Sequence, residues 1–146
     1  MLPFYRHLKP GFGNLEQVEI DFQPRCDDGT LPYNPLGQWY DWLDDATQRA
    51  SRPIAYQHNT RPLLEAQGFV DIEETIIRLP LNSWPADPHS KEIGRWYNLG
   101  MSEGLEALSL GPFTRVYRWP AEDVRRLVHE VKTQMCSKRV HAYNNM

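Results

Sequence analysis

The apolar residues of this chain change their spacing several times, and that change limits the folds open to it. Over residues 15–22, Val18, Ile20 and Phe22 alternate with Gln17, Glu19 and Asp21, the period of two that places alternate side chains on opposite faces of a strand. Over residues 36–50 the spacing becomes three and four, through Leu36, Trp39, Tyr40, Leu43, Ala46 and Ala50, which is one stripe of a helix. A short helix follows at residues 60–67, with Thr60 as N-cap and Gly68 just past its end. Residues 69–77 then read as a strand, with β-branched residues late in the run.

A helix beginning near Ser90 carries Ile93, Trp96, Tyr97, Gly100, Gly104, Leu105 and Leu108 on one broad face, and Gly111-Pro112 is expected to interrupt it. Gly100 and Gly104, four apart, are expected to admit another backbone. A last helix over residues 121–137 has Val124, Leu127, Val128, Val131 and Met135 as its stripe, and residues 140–143 look like a final strand. Residues 2–8 read as the end of a helix stopped by Lys9-Pro10-Gly11. The order is helix, strand, helices, strand, helices, strand: an α/β chain with a sheet of three strands.

Its 146 residues suit one domain, 1–146. A net charge of −3 and a pI near 5.9 argue against a nucleic-acid binder built on a broad basic face. The densest basic cluster, from Arg125 to Arg139, is interleaved with Glu122, Asp123 and Glu130 and reads as a solvated helix face. Cys26 and Cys136 are expected to be free thiols in a reducing compartment. No His or Cys lies at zinc-like spacing from another, so no metal site is expected. No apolar run is long enough for a bilayer, which places the chain in the cytosol or nucleus.

Motifs that carry chemistry are fragmentary. Gly11-Phe12-Gly13 begins like a phosphate loop, but Glu16 stands where the third glycine belongs and the segment precedes a strand. Cys26-Asp27-Asp28-Gly29-Thr30 approaches an aspartyl-phosphatase pattern with Cys26 in the nucleophile position, so Asp28-Gly29 is read as a tight turn. Glu19 and Asp21 share a strand face near the strand's C-terminal end, where open α/β sheets bind ligands; a solvent-facing edge is the competing reading. Trp96 and Tyr97 could wall a pocket or belong to the core. His7, His58, His89, His129 and His141 are scattered, with no obvious Ser or Cys partner.

The stretches LKPG…EQVEID, PRCDDGTLP, EAQGFVDIEE, RLPLNSWPADPHSKEIGRWYNLG, GLEALSLGPFTRVY and SKRVHAYNNM together resemble the C-terminal half of the LaeA-type methyltransferases, over residues 2–146. These are fungal nuclear regulators that act with velvet-family proteins on secondary metabolism and development. The resemblance implies part of a class I S-adenosylmethionine-dependent methyltransferase fold, which is Rossmann-like. Residues 15–22 would be its fifth strand, residues 69–77 its sixth and residues 140–146 the start of its seventh, lying between the other two. The helices between strands six and seven would cap the substrate side, with Trp96 and Tyr97 as pocket walls.

The family's cofactor fingerprint, Gly-x-Gly-x-Gly after the first strand, has no counterpart: the only glycines two apart are Gly11 and Gly13. The expectation is that S-adenosylmethionine serves the parent protein and that this chain alone binds none. Strand five would be left as a parallel-type strand with an unpaired edge, which calls for a partner or a second copy. Three readings follow: part of a methyltransferase, a non-catalytic module that binds velvet-type partners or itself, and a cofactor-independent enzyme such as a cyclase on a methyltransferase relic.

Overall fold

A computed structural model describes residues 7–31, 35–55 and 60–146 of the chain. In chain order it contains β1 (Asp21–Arg25), α1 (Pro35–Arg49), α2 (Thr60–Ala66), β2 (Arg78–Pro80), α3 (Pro88–Val116), α4 (Ala121–Met135) and β3 (Tyr143–Asn145). The expected helix at residues 2–8 falls largely outside the described residues.

The core is built where the three-and-four spacing is cleanest. Val124, Leu127, Val128, Val131 and Met135 of α4 are all buried, as are Leu36, Trp39, Tyr40, Leu43 and Ala46 of α1. These stripes pack with Met101, Leu105 and Phe113 of α3 into one cluster. Ala50 departs from expectation: α1 ends at Arg49, Ala50 is exposed, and Thr47 is buried instead, its hydroxyl bonded to the Leu43 carbonyl at 2.8 Å. The indole N–H of Trp39 donates to Ser109 Oγ at 2.8 Å, and Ser109 in turn donates to the Leu105 carbonyl at 2.6 Å. A buried polar relay therefore ties α1 to the middle of α3.

α3 corrects the sequence reading in two ways. It does not break at Gly111-Pro112 but continues to Val116, with Pro112 inside it. Proline removes one helical hydrogen bond, at a cost of about 3 kcal/mol. Packing offsets this, because Phe113 is fully buried and its ring lies 5.4 Å from Trp119 and 5.9 Å from Tyr117. The helix is also rotated from the expected face: Gly94, Met101, Leu105, Ser109 and Phe113 point inward, and Trp96 is 67% exposed. Among the described residues nothing approaches the place of a Cβ at Gly100 or Gly104; the close approach is at Gly94, where a Cβ would overlap the Asn82 carbonyl. The start is well specified: the Asp87 side chain caps the Ser90 N–H at 2.7 Å, and Pro88 occupies the first turn.

The sheet has the order β1-β3-β2, with the tail strand in the middle as the resemblance implies, and both ladders are antiparallel. Residues of the tail alternate in environment. Val140, Ala142 and Asn144 are buried on the helix side, where Tyr97 donates to Asn144 Oδ1 at 3.1 Å. On the other side Arg78 lies over the Tyr143 ring, 4.5 Å from its centroid, and bonds Asp27.

The strands are shorter than the alternation suggests. Of residues 15–22 only Asp21 and Phe22 fall in β1, and residues 69–77 precede β2 altogether. β3 spans Tyr143–Asn145, and the last rungs of the ladder are the paired bonds between Ile77 and Met146, at 2.7 and 2.8 Å. Beyond them no central strand pairs with either segment. Asp71 also adopts a left-handed backbone (φ 52°), which bends the second segment out of extended geometry.

Candidate functional site

The two strand-like segments that fail to pair form the walls of a groove of about 430 Å³. Leu15, Gln17 and Glu19, which lie outside the ladder, line one wall together with Asp21 at the start of β1. Residues 69–76 form the other wall, Thr60, Arg61 and Leu64 of α2 close one side, and Asn145 and Met146 stand at the end. Gly68, in the left-handed region (φ 89°), turns the chain from α2 into the second wall; its N–H bonds the Glu65 carbonyl at 2.9 Å.

The groove is negative. Among the described residues, Glu19, Asp21, Asp71, Glu73 and Glu74 line it with Arg25 and Arg61. Asp21, 7% exposed, pairs with Arg25 at 2.5 Å and accepts the Gln23 N–H at 3.1 Å. Glu19 is exposed and accepts from Gln17 Nε2 at 2.9 Å. Both carboxylates line the groove, but β1 begins at Asp21, so they stand at the strand's N-terminal end and not, as expected, near its C-terminal end.

Trp96 and Tyr97 are not part of this groove. Both stand on α3, Trp96 largely in solvent and Tyr97 half-buried against Asn144. Burial, with a smaller contribution from the charge of Asp21, raises the Tyr97 phenol well above the ordinary tyrosine range. Asn144 Nδ2 has no partner among the described residues. Sequence reading missed Arg61, Glu73 and Asn145, because their side chains meet only through the fold and no local pattern joins them.

A second cluster joins the loop after β1 to the tail. His141 Nδ1 lies 2.5 Å from Asp28 Oδ2, the His141 N–H donates to Thr30 Oγ1 at 2.9 Å, and Trp84 stacks on the imidazole. The Cys26 thiol donates to Asp28 at 3.0 Å. Hydrogen bonds from Cys26, then Thr30 and His141, hold the Asp28 carboxyl well below the usual range. Nucleophilic chemistry would need the base beside the thiol; here a carboxylate holds both the thiol and the imidazole, so the cluster is a clasp. Gly29 (φ 73°) completes the expected turn. Among the described residues no group of His, Cys, Asp or Glu could hold a metal ion, and no helix is long and apolar enough to cross a membrane.

The comparisons with known proteins bear directly on this arrangement. The chain is 60% identical over 144 residues to the secondary metabolism regulator LAE1 of Cochliobolus heterostrophus, a match covering 97% of this chain and 47% of the relative. This chain is a homologue of part of the LaeA-type regulators. It is also 49% identical over 141 residues to the protein-methionine methyltransferase laeA of Emericella nidulans, covering 96% of this chain and 37% of that protein. The secondary metabolism regulator laeA of Aspergillus flavus is 47% identical over 143 residues, covering 96% and 38%. The chain thus spans less than half the length of the LaeA-type relatives it matches. No family model matches it, and no solved structure does.

Within a LaeA-type protein the Gly11–Gly13 turn has a local role. A Cβ at Gly13 would meet Leu8 Cβ at 2.8 Å, and the Gly13 N–H bonds the Lys9 carbonyl at 2.8 Å. The turn packs on itself and makes no cradle for a nucleotide-like cofactor. The methyltransferase relative implies S-adenosylmethionine for the parent family, and this turn is not a cradle for it.

Proposed function

We propose that this chain is the C-terminal, substrate-side part of a LaeA-type S-adenosylmethionine-dependent methyltransferase that regulates secondary metabolism and development. The observation that carries this reading is 49% identity, across 96% of the chain, to a relative named as a protein-methionine methyltransferase. The sheet order supports the Rossmann-like assignment, in which β1, β2 and β3 would be strands five, six and seven, with the last in the middle. The cofactor, held by polypeptide outside these residues, would supply an electrophilic methyl group. Partnership with velvet-family proteins and a nuclear location belong to the same reading.

A methionine acceptor suits what the groove offers. Methylation of a thioether turns a neutral sulfur into a sulfonium and releases no proton, so the acceptor side needs alignment and exclusion of water but no general base. Carboxylates such as Glu19 and Asp21 favour positive charge developing nearby. Trp96 and Tyr97 are assigned to the acceptor side as part of the α3 cap, outside the groove itself.

The test is reconstitution. Co-expression with the part of the Cochliobolus regulator that lies outside the match should yield a complex that S-adenosylhomocysteine stabilises. A ligand at a hundred times its dissociation constant adds about 2.7 kcal/mol. The chain alone should melt at an unchanged temperature with the same ligand. A ligand-induced rise for the chain alone, or failure of the two parts to associate, would overturn the reading. The second reading, a non-catalytic module binding velvet-type partners or a second copy, is favoured by the open edges of β1 and β2. It would be supported by association with velvet proteins in the absence of the complementary part.

A further inference from the structure

We propose that His141, held by Asp28, is a general base for a hydroxyl-bearing methyl acceptor bound beyond the carboxyl ends of β1 and β2. The proposal rests on the methyltransferase reading for its methyl donor, and it concerns the end of the sheet opposite the groove.

The first support is the state of the ring. Hydrogen bonds from Cys26, then Thr30 and His141, keep the Asp28 carboxyl ionised, so His141 Nδ1, 2.5 Å from it, is the donor. In the neutral imidazole the proton therefore sits on Nδ1 and Nε2 keeps its lone pair. Nε2 has no partner among the described residues, and the side chain is 36% exposed. An imidazole oriented by a carboxylate, with its other nitrogen bare, is what a proton acceptor requires. The ring is also fixed: the His141 N–H donates to Thr30 Oγ1 at 2.9 Å, and Trp84 stacks on its face at 4.9 Å between centroids. Thr30 in turn donates to Asp28 at 2.7 Å, and the Trp84 indole to the Ala142 carbonyl at 3.1 Å.

The second support is position. β1 and β2 each run antiparallel to β3 and hence in the same direction as one another. Asp28 follows the end of β1, Trp84 follows the end of β2, and His141 precedes β3. Three segments distant in sequence thus bring the pair to the end of the sheet at which open α/β folds bind ligands. The other ionisable groups of the cluster are engaged: Cys26 donates to Asp28, and Asp27 accepts from Tyr143 and Arg78. His141 is the group left to take a proton.

Chemistry selects the acceptor. As a hydroxyl oxygen bonds to the methyl carbon, the carbon–sulfur bond of the sulfonium donor breaks, its electron pair stays on sulfur as a thioether, and the O–H proton passes to Nε2. A thioether acceptor has no proton to give and gains nothing from a base. An amine carries its positive charge stably after methylation and gains little. A hydroxyl gains most, because the oxonium formed on it is far more acidic than an imidazolium.

The full chain is measured first. In the neutral ring, imidazole nitrogen chemical shifts should place the proton on Nδ1. Diethyl pyrocarbonate should acylate His141 at least about tenfold faster than in Asp28→Asn, whose amide can donate to Nδ1 and move the proton to Nε2. A proton on Nε2 in the unsubstituted chain, or acylation equal or faster in the variant, would leave a clasp only and overturn the proposal. The second measurement uses the complex with the complementary part of the Cochliobolus regulator, with phenol and a methionine peptide as probes. His141→Gln should lower the ratio of phenol to thioether methylation at least about a hundredfold. An unchanged ratio, or a complex that methylates the thioether and never phenol, would also overturn the proposal. A complex that methylates neither probe would sink the methyltransferase reading and this proposal with it, whereas the shifts and the acylation rates test the base alone.

Discussion

Gly94 and Gly100 lie on the same helix and have opposite consequences. At Gly94 a methyl group would overlap the Asn82 carbonyl and approach Pro80 Cβ at 3.2 Å, so α3 can approach the end of β2 only without a side chain there. Gly94→Ala is expected to destabilise the chain by about 2 kcal/mol through overpacking against backbone. Gly100 faces open space, and Gly100→Ala should stabilise by about 1 kcal/mol through helix propensity. Denaturant midpoints of the two variants should move in opposite directions. Ser109→Ala would remove the acceptor of the buried Trp39 indole N–H and should cost about 1–3 kcal/mol. None of these roles is visible in the local sequence. All four glycines of residues 94–111 look alike there, and only contact with β2 separates Gly94 from the others.

At the scale of elements, β3 is held by side chains as much as by its short ladder. Tyr143 donates to Asp27 at 2.7 Å, Arg78 bonds the same carboxylate at 2.7 Å, and Asp28 holds His141. The Asp27 carboxyl lies below its ordinary value, mainly through Tyr143 and then Arg78, and Asp28 lies lower still. Because folding depresses both, the stability they supply is present above about pH 4 and is lost as pH falls below it. Replacing both by asparagine should flatten the acid limb of a stability–pH curve, and an unchanged limb would show that the clasp contributes nothing.

The alkaline side depends on tyrosines. Burial raises Tyr40 to about 12, and burial with the Asp45 hydrogen bond raises Tyr117 to about 12. Their contribution is complete below about pH 10 and declines as pH rises toward the folded values. Tyr117→Phe should reduce that decline, as followed by thermal melts between those limits.

For the molecule as a whole, the structure divides into a core of α1, α3 and α4 with β3, and a thinner flank over residues 60–77. α2 buries none of its residues, whereas α4 buries five. Hydrogen exchange should therefore be slowest in α3 and α4 and fast across residues 60–77, even under conditions where the core is intact. Uniform protection across both regions would contradict this division.

The sequence by itself determined the helices whose apolar spacing is regular, the mixed α/β class and the likeness to LaeA-type regulators, and that resemblance implied the tail strand's place between the other two. Residues such as Val124, Leu127 and Val131 recur at the helical period and need no distant partner to reveal the face they bury. The tertiary structure alone decided where strands begin and end, whether α3 survives Pro112, which side of α3 faces inward and which carboxylates share the groove. A helix closes its hydrogen bonds within one segment, so its pattern is local. A strand, a buried proline turn or a shared groove depends on partners distant in sequence, which residues 15–20 and 69–77 could not express for themselves.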